Sequence, residues 1–317
     1  MKPNLIGGEW VTSSSGVENI NPSNTNDLID VFAQSGRAEA EQAVAAAASA
    51  FEDWSLSPVQ QRHDILKDIG DTILARKAEI GEMLAREEGK ILPEAIAETE
   101  RAGRIFLFFA AEALRLTGEL LPSVRPGVSV EVTREPVGPV GLVTPWNFPI
   151  AIPAWKIAPA LCFGNSVVFK PAEQVPGTAW LLAEIIDKSG LPKGVFNLVI
   201  GPGPVVGQAI LDAPEIRAFS FTGSQVTGRI VAEACLRQNR KFQVEMGGKN
   251  PLVVVDDADL EVATDAALDG AFFSTGQRCT ASSRLIVTDG IHARFVERLT
   301  EKVRALKVGP ALDPMSQ

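Results

Sequence analysis

The hydrophobic pattern changes twice along the chain. Residues 1 to about 35 carry short apolar runs broken by turn residues such as "INPSNTND", which predicts irregular or weakly β structure. From Arg37 the spacing is helical. "RAEAEQAVAAAASAFEDW" puts Val44, Ala47, Ala48 and Phe51 on one face. "SPVQQRHDILKDIGDTILARKAEIGEMLAREEG" repeats Ile65, Leu66, Ile69, Ile73 and Leu74 at i, i+3 and i+4. Ser57 is placed to cap this segment, Pro58 to open it, Gly81 to break it and Gly89 to stop it. "PEAIAETERAGRIFLFFAAEALRL" predicts a further helix whose apolar stripe faces the core.

From about Val128 strands take over. "VSVEVTREPVG" alternates as an extended arm or hairpin would. The apolar strands "GPVGLVTP", "NSVVFKP", "GVFNLVIG", "RAFSFTGS" and "KFQVEMGG" then alternate with helical segments: Ala151–Leu161, "GTAWLLAEIIDKSG", Pro204–Leu211 and "QVTGRIVAEAC". Buried strands separated by helices predict βαβ units and a parallel sheet covered on both faces. Beyond Pro251 come two strands, "LVVVD" and "RLIVTD", and two helices, "DLEVATDAALDGAFF" and "HARFVERLTEKVRAL". These elements are too few to enclose a core, so this unit is expected to lack its remainder.

Composition narrows the function. The chain has 317 residues, 45% of them hydrophobic and 22% charged, enough for two domains. A net charge of −9 leaves no basic face for nucleic acid and favours a small-molecule partner. Cys162, Cys235 and Cys279 are widely spaced and the only histidines are His63 and His292, so neither a metal site nor a disulfide framework is expected. Reduced thiols suit the cytoplasm. No long apolar stretch opens the chain as a secretory leader would, and "IAIPAWKIAPALCFG" is interrupted by Lys156 and prolines, so no membrane span is expected.

The candidate chemistry lies at strand ends. "GPGPVVG" supplies Gly203 and Gly207, structural or functional, in a β-to-α turn. In "FTGS", Gly223 and Ser224 stand where a helix begins; free N–H groups there suit a pyrophosphate, and Ser224 also suits a helix cap. Lys170 and Glu173 in "FKPAEQVP" are either a solvated pair or a ribose site, where the acid would favour NAD over NADP. "TPWNFP" fixes Asn147 between prolines, as an oxyanion donor or as an amide bonding its own turn. Glu245 in "VEMGGKNP" ends an apolar strand, where a semi-buried carboxylate acts as a general base or accepts backbone N–H groups. Cys279 in "FFSTGQRCTASSR" is an ordinary buried thiol or a nucleophile; adjacent Arg278 would favour the thiolate.

Taken in order, "PWNFP", "KPAE", "FTGS", "EMGGKNP" and "GQRC" resemble the signatures of the NAD(P)-dependent aldehyde dehydrogenase superfamily, over essentially the whole chain. The version "FFSTGQRCTASSRLIV" is most similar to the 2-oxoglutarate semialdehyde (2,5-dioxovalerate) group, then to succinate semialdehyde dehydrogenases. The resemblance implies an α/β fold: a Rossmann-like parallel sheet flanked by helices, plus an incomplete α/β catalytic domain. Residues 1–246 would form the NAD-binding domain with the N-terminal helices, about 122–137 an oligomerisation arm, and 247–317 the start of the catalytic domain.

It further implies Cys279 as nucleophile, Glu245 as general base, Asn147 as oxyanion donor and Lys156 in proton relay. The implied cofactor contacts are Thr144, Pro145, Trp146, Lys170, Glu173, Gly203, Gly207, Phe221, Gly223, Ser224, Met246 and Gly247. NAD is the implied cofactor, with NADP an alternative, and the full-length form is expected to be a homodimer or homotetramer. Arg278 or Arg284 would read a substrate carboxylate. Family members extend about half again as far, so a chain ending at Gln317 is expected to be weakly active and poorly stable. A cofactor-independent thiol esterase and a non-catalytic NAD-binding remnant are the competing expectations.

Overall fold

The structure, a computed structural model, describes residues 1–317. Four short strands open the chain: β1 (Asn4–Ile6), β2 (Glu9–Val11), β3 (Gly16–Ile20) and β4 (Leu28–Ala33). Helices α1 (Arg37–Ser55), α2 (Val59–Ala75), α3 (Lys77–Glu88) and α4 (Leu92–Ala113) follow, then an exposed hairpin of β5 (Glu119–Pro122) and β6 (Ser129–Val132). The alternating region comprises β7 (Val140–Val143), α5 (Ala151–Cys162), β8 (Val167–Lys170), α6 (Pro176–Lys188) and β9 (Phe196–Leu198). It continues with α7 (Gln208–Asp212), β10 (Ala218–Gly223), α8 (Gln225–Arg237) and β11 (Lys241–Met246). The last elements are β12 (Asn250–Val254), α9 (Leu260–Phe272), β13 (Ser282–Val287) and α10 (Asp289–Ala305).

Local chemistry accounts for the helix boundaries, with two corrections. Gly89 ends α3 at φ 94°, as expected of a left-handed cap. The break before α3 falls at Arg76, not Gly81; Arg76 leaves helical geometry at ψ 14° and ties its guanidinium to Glu79 and Glu184. Gly81 stays helical because α4 passes close by: a Cβ there would stand 2.7 Å from the Ile96 side chain. Ser57 does not cap α2. Its hydroxyl donates to the Trp54 carbonyl, and the helix starts one residue after Pro58.

The main sheet runs β11-β10-β7-β8-β9-β1-β2. Its first five strands are parallel, as the apolar runs predict, whereas β1 and β2 join antiparallel through Leu5 opposite Leu198. The initial stretch thus follows the weakly β alternative, with β1 and β2 in the main sheet, β3 and β4 paired separately, and turn residues between the strands. One face is packed by α2, α4, α5 and α6, the other by α1, α7 and α8. Coverage stops short of the β11 edge, where Phe242 is 37% and Met246 40% exposed. The second sheet, β12 beside β13, has its own small core of Val254, Ala267, Ile291 and Phe295.

This topology creates the site. The chain enters the parallel sheet at β7, builds β8 and β9 on one side, then crosses to build β10 and β11 on the other. The carboxyl ends of β7 and β10 therefore face a crevice at the point where strand order reverses, the place where open α/β sheets take ligands.

Candidate active site

Two cavities meet at that crevice. One, of about 680 Å³, is lined by the turn after β7 (Pro145–Asn147), the start of α8, the residues after β11 and the segment Gly276–Thr280. The other, of about 720 Å³, lies between α5 and the β7-β10-β11 surface. Ile152, Thr222, Glu245 and Cys279 line both. The three thiols divide sharply. Cys162 and Cys235 are buried, and burial pushes Cys162 up to about 11 and raises Cys235 as well; Cys279 is exposed to the cavities. It is the thiol with access to a substrate.

The cysteine is carried by an unusual turn. After α9, Ser274, Thr275 and Gly276 are all left-handed, with φ of 51°, 55° and 70°. Glycine is required at the third, because a Cβ on Gly276 would stand 2.4 Å from the Ala271 carbonyl oxygen. The Asn147 amide donates from Nδ2 to the Gln277 carbonyl at 2.7 Å, joining the β7 turn to this segment. Nδ2 carries a second hydrogen, which is left for a substrate oxygen. Asn250 donates to the Cys279 carbonyl at 2.6 Å.

Glu245, expected in a semi-buried apolar setting, is exposed, because β11 is the sheet edge and little covers it. It is nonetheless wired inward. Gln243 Nε2 donates to Glu245 at 2.7 Å, and Gln243 Oε1 accepts from Ser220 at 2.5 Å and from Lys156 Nζ at 3.2 Å. Lys156 reaches across from α5, buried, and burial lowers it to about 8 while the Glu245 charge opposes that shift. Ser220 and Gln243 were not singled out from the sequence; the i, i+2 spacing of Gln243 and Glu245 on one strand face is the signal that they share a side.

The expected cofactor residues cluster at strand ends. Lys170 ends β8, buried and lowered to about 8 by that burial, with Nζ donating to the Pro171 carbonyl. Glu173 accepts from the Gly203 N–H at 3.0 Å, and Gly207 lies against the Lys170 stem. Ser224 caps α8 by accepting from the Thr227 N–H, so capping and proximity to the crevice coexist. Pro145, Trp146, Gly223, Met246 and Gly247 line the first cavity; nothing approaches a Cβ built on Gly247 within 4 Å. A dinucleotide fits this donor set: a helix N-terminus facing the crevice, a buried lysine and a carboxylate with one unused oxygen. Thr144 is buried with its hydroxyl unpartnered, and Phe221 is buried beneath Gly223 and Gly228, so both stand behind the surface rather than on it.

The two candidate substrate arginines are otherwise engaged. Arg278 Nη2 donates to the carbonyls of Asp269 and Gly270 at 2.9 and 3.1 Å, with its guanidinium over the Phe273 ring. Arg284 Nε donates to the Lys249 carbonyl at 3.1 Å. Both fasten backbone, because carbonyls left open at the end of α9 and beside β13 compete for them.

Charges buried beneath the site are not apparent from sequence. Lys90, 1% exposed, donates from Nζ to Glu98 and to the Asn147 carbonyl, both at 2.7 Å, and lies over the Phe148 ring. Glu98 in turn accepts the Ile150 and Ala151 N–H groups that open α5. Glu94 accepts the Ser274 N–H. Their four-residue spacing is visible in the sequence and reads equally well as a solvated helix face.

Comparison with known proteins bears on the family of the chain. Residues 10–317 match the family described as "Aldehyde dehydrogenase family". The chain is 45% identical over 311 residues to alpha-ketoglutaric semialdehyde dehydrogenase of Bacillus subtilis, covering 98% of this chain and 64% of that one. It is 42% identical over 312 residues to alpha-ketoglutarate semialdehyde dehydrogenase of Haloferax volcanii, covering 98% and 65%. Its fold superposes on betaine aldehyde dehydrogenase of Staphylococcus aureus, solved in complex with NAD+, with a TM-score of 0.97 and 35% identity, over 100% of this chain and 64% of that one. The chain thus spans slightly less than two thirds of the relatives it matches.

Proposed function

The chain belongs to the aldehyde dehydrogenase family, and from that premise we propose that the protein oxidises an aldehyde to its acid with NAD, taking a carboxylate-bearing semialdehyde such as 2-oxoglutarate semialdehyde. The observation that carries this reading is the convergence of an exposed Cys279, the spare Asn147 amide hydrogen and Glu245 on one crevice. Lys170, Glu173, Gly203 and the start of α8 would hold the dinucleotide. The names of the relatives support the substrate class.

The residues divide the chemistry as follows. The Cys279 thiolate forms a C–S bond to the aldehyde carbon, and the carbonyl electron pair moves onto oxygen. That oxyanion is received by the Asn147 amide and the Cys279 backbone N–H. When bound, NAD supplies the acceptor for the hydride, and the carbon is left as a thioester on Cys279. Glu245 takes a proton from the water that attacks the thioester, and the thiolate departs. Gln243 links this carboxylate to Lys156, a buried lysine whose lowered proton affinity suits it to exchange a proton near neutral pH. The β5–β6 hairpin presents Leu120, Leu121 and Val130 to solvent, which supports assembly of the whole protein as a homodimer or homotetramer.

The test is kcat/KM for 2-oxoglutarate semialdehyde, succinate semialdehyde and a neutral aldehyde of similar length. At least about tenfold preference for a semialdehyde is expected, equal to about 1.4 kcal/mol of transition-state binding. Equal values reject the carboxylate-bearing substrate, and aldehyde turnover that needs no NAD rejects the dehydrogenase reading.

A further inference from the structure

Helix α4 and the residues just before it bond both the turn that carries Asn147 and the turn that leads into Cys279. Lys90 holds the Asn147 carbonyl, and Glu98 holds the N–H groups of Ile150 and Ala151. One turn from Glu98 on the same helix, Glu94 accepts the Ser274 N–H with both carboxylate oxygens at 3.1 Å. Ser274 is 1% exposed, its hydroxyl lacks a partner, and it opens the left-handed run that leads into Cys279. Two consecutive residues other than glycine in that region are costly, so something must hold them there. Contacts inside the turn help: Ser274 O accepts from Gln277 N and from Thr275 Oγ1, and Thr275 Oγ1 accepts from Gln277 Nε2. All of these lie within the turn. Glu94 is the side chain from outside it that bonds its first residue.

We propose that Glu94 is the positioning residue for the nucleophile, and that α4 is the common template registering the Cys279 turn against the Asn147 turn. The proposal rests on the assignment of Cys279 and Asn147 given above. It adds a division of labour: Lys90 and Glu98 set one turn, Glu94 sets the other, and the Asn147-to-Gln277 hydrogen bond closes the gap between them. Glu94 acts through a backbone N–H and does not touch the substrate.

The experiment compares Glu94→Ala, Glu94→Gln and the double variant Glu94→Ala/Ser274→Gly by hydrogen exchange of residues 272–280 and by steady-state kinetics. Labelling of buried Cys162 and Cys235 reports whether the fold as a whole has opened. Glu94→Ala is expected to speed exchange at Ser274 about tenfold and to lower kcat about tenfold, the scale of one released left-handed residue, with KM for NAD and labelling of the buried thiols unchanged. Glu94→Gln keeps an acceptor oxygen and stays within about threefold of the parent. Ser274→Gly restores most of the lost kcat, because glycine takes the left-handed conformation freely.

Unchanged exchange at Ser274 in Glu94→Ala, an equal loss in Glu94→Gln, or no recovery in the double variant overturns the proposal. The exchange arm decides even if no aldehyde is turned over, so failure of the positioning role and failure of the dehydrogenase reading remain distinguishable. Should Glu94→Ala not fold, the unsubstituted protein still decides. Its Ser274 amide must be protected at least tenfold over an unstructured chain, roughly the minimum for a persistent hydrogen bond, and an unprotected amide overturns the proposal.

Discussion

Replacing Lys90 by Met removes the cation under the Asn147 turn. The Lys90 ammonium is 1% exposed and makes two charge-assisted hydrogen bonds of 2.7 Å, one to Glu98 and one to the Asn147 carbonyl. Met fills nearly the same space, so little packing is lost. What remains is a buried Glu98 carboxylate. It keeps its two N–H donors from Ile150 and Ala151 at 3.1 Å, but loses its counter-charge. Breaking a buried pair from one side costs about 3–5 kcal/mol. For a chain of this size, at about 1.5 °C per kcal/mol, that corresponds to a fall in Tm of roughly 5–8 °C.

Lys90→Met/Glu98→Gln should recover part of the loss, because the uncompensated charge is gone and an acceptor remains. Thermal unfolding of the four proteins of the cycle supplies the assay. A fall below about 2 °C for Lys90→Met, on the same scale, or strict additivity in the double variant, refutes the view that this ion pair organises the turn.

Two further outcomes follow from the geometry. Lys156 and Lys170 are each lowered to about 8 from an ordinary 10.5 by burial. Between about 8 and 9 the unfolded chain binds the protons that the fold refuses, so stability rises with pH there, while above about 9 the raised thiols of Cys162 and Cys235 work against the rise; Lys156→Met should remove about half of the rise between about 8 and 9, and a flat profile there in the parent contradicts it. Gly276→Ala should lower stability by about 1–3 kcal/mol and sharply reduce turnover, since φ is 70° and a Cβ meets the Ala271 carbonyl oxygen at 2.4 Å; unchanged Tm and kcat would show that this turn is not constrained.

How much of this is legible in the sequence depends on how far each partner lies. The β/α alternation from Val140 to Met246 is local, and its strands and helices emerge where the apolar runs place them. The meeting of Asn147 and Glu245 follows from the rule that strand ends converge at a switch point, whereas Cys279 is brought there by the turn between α9 and β13 of the second sheet. β1 escapes such reading because its partner is β9, with Leu5 opposite Leu198. The exposure of Glu245 depends on β11 being an edge, which sheet order decides and strand composition does not. Arg278 beside Cys279 suggests thiolate support, yet the open carbonyls of α9 take its guanidinium. Lys90, Glu94 and Glu98 are hidden for a similar reason: charged residues four apart look like a solvated helix face until the fold buries that face under two loops.

The proposed covalent bond between Cys279 and the aldehyde underlies every later step at this site. Its most direct test is aldehyde-dependent NADH formation, followed by absorbance, in the parent and in Cys279→Ala with 2-oxoglutarate semialdehyde as substrate. Turnover is expected in the parent, with a loss of at least about a thousandfold in the variant, the scale for removing a nucleophile. Undiminished oxidation by Cys279→Ala would contradict it.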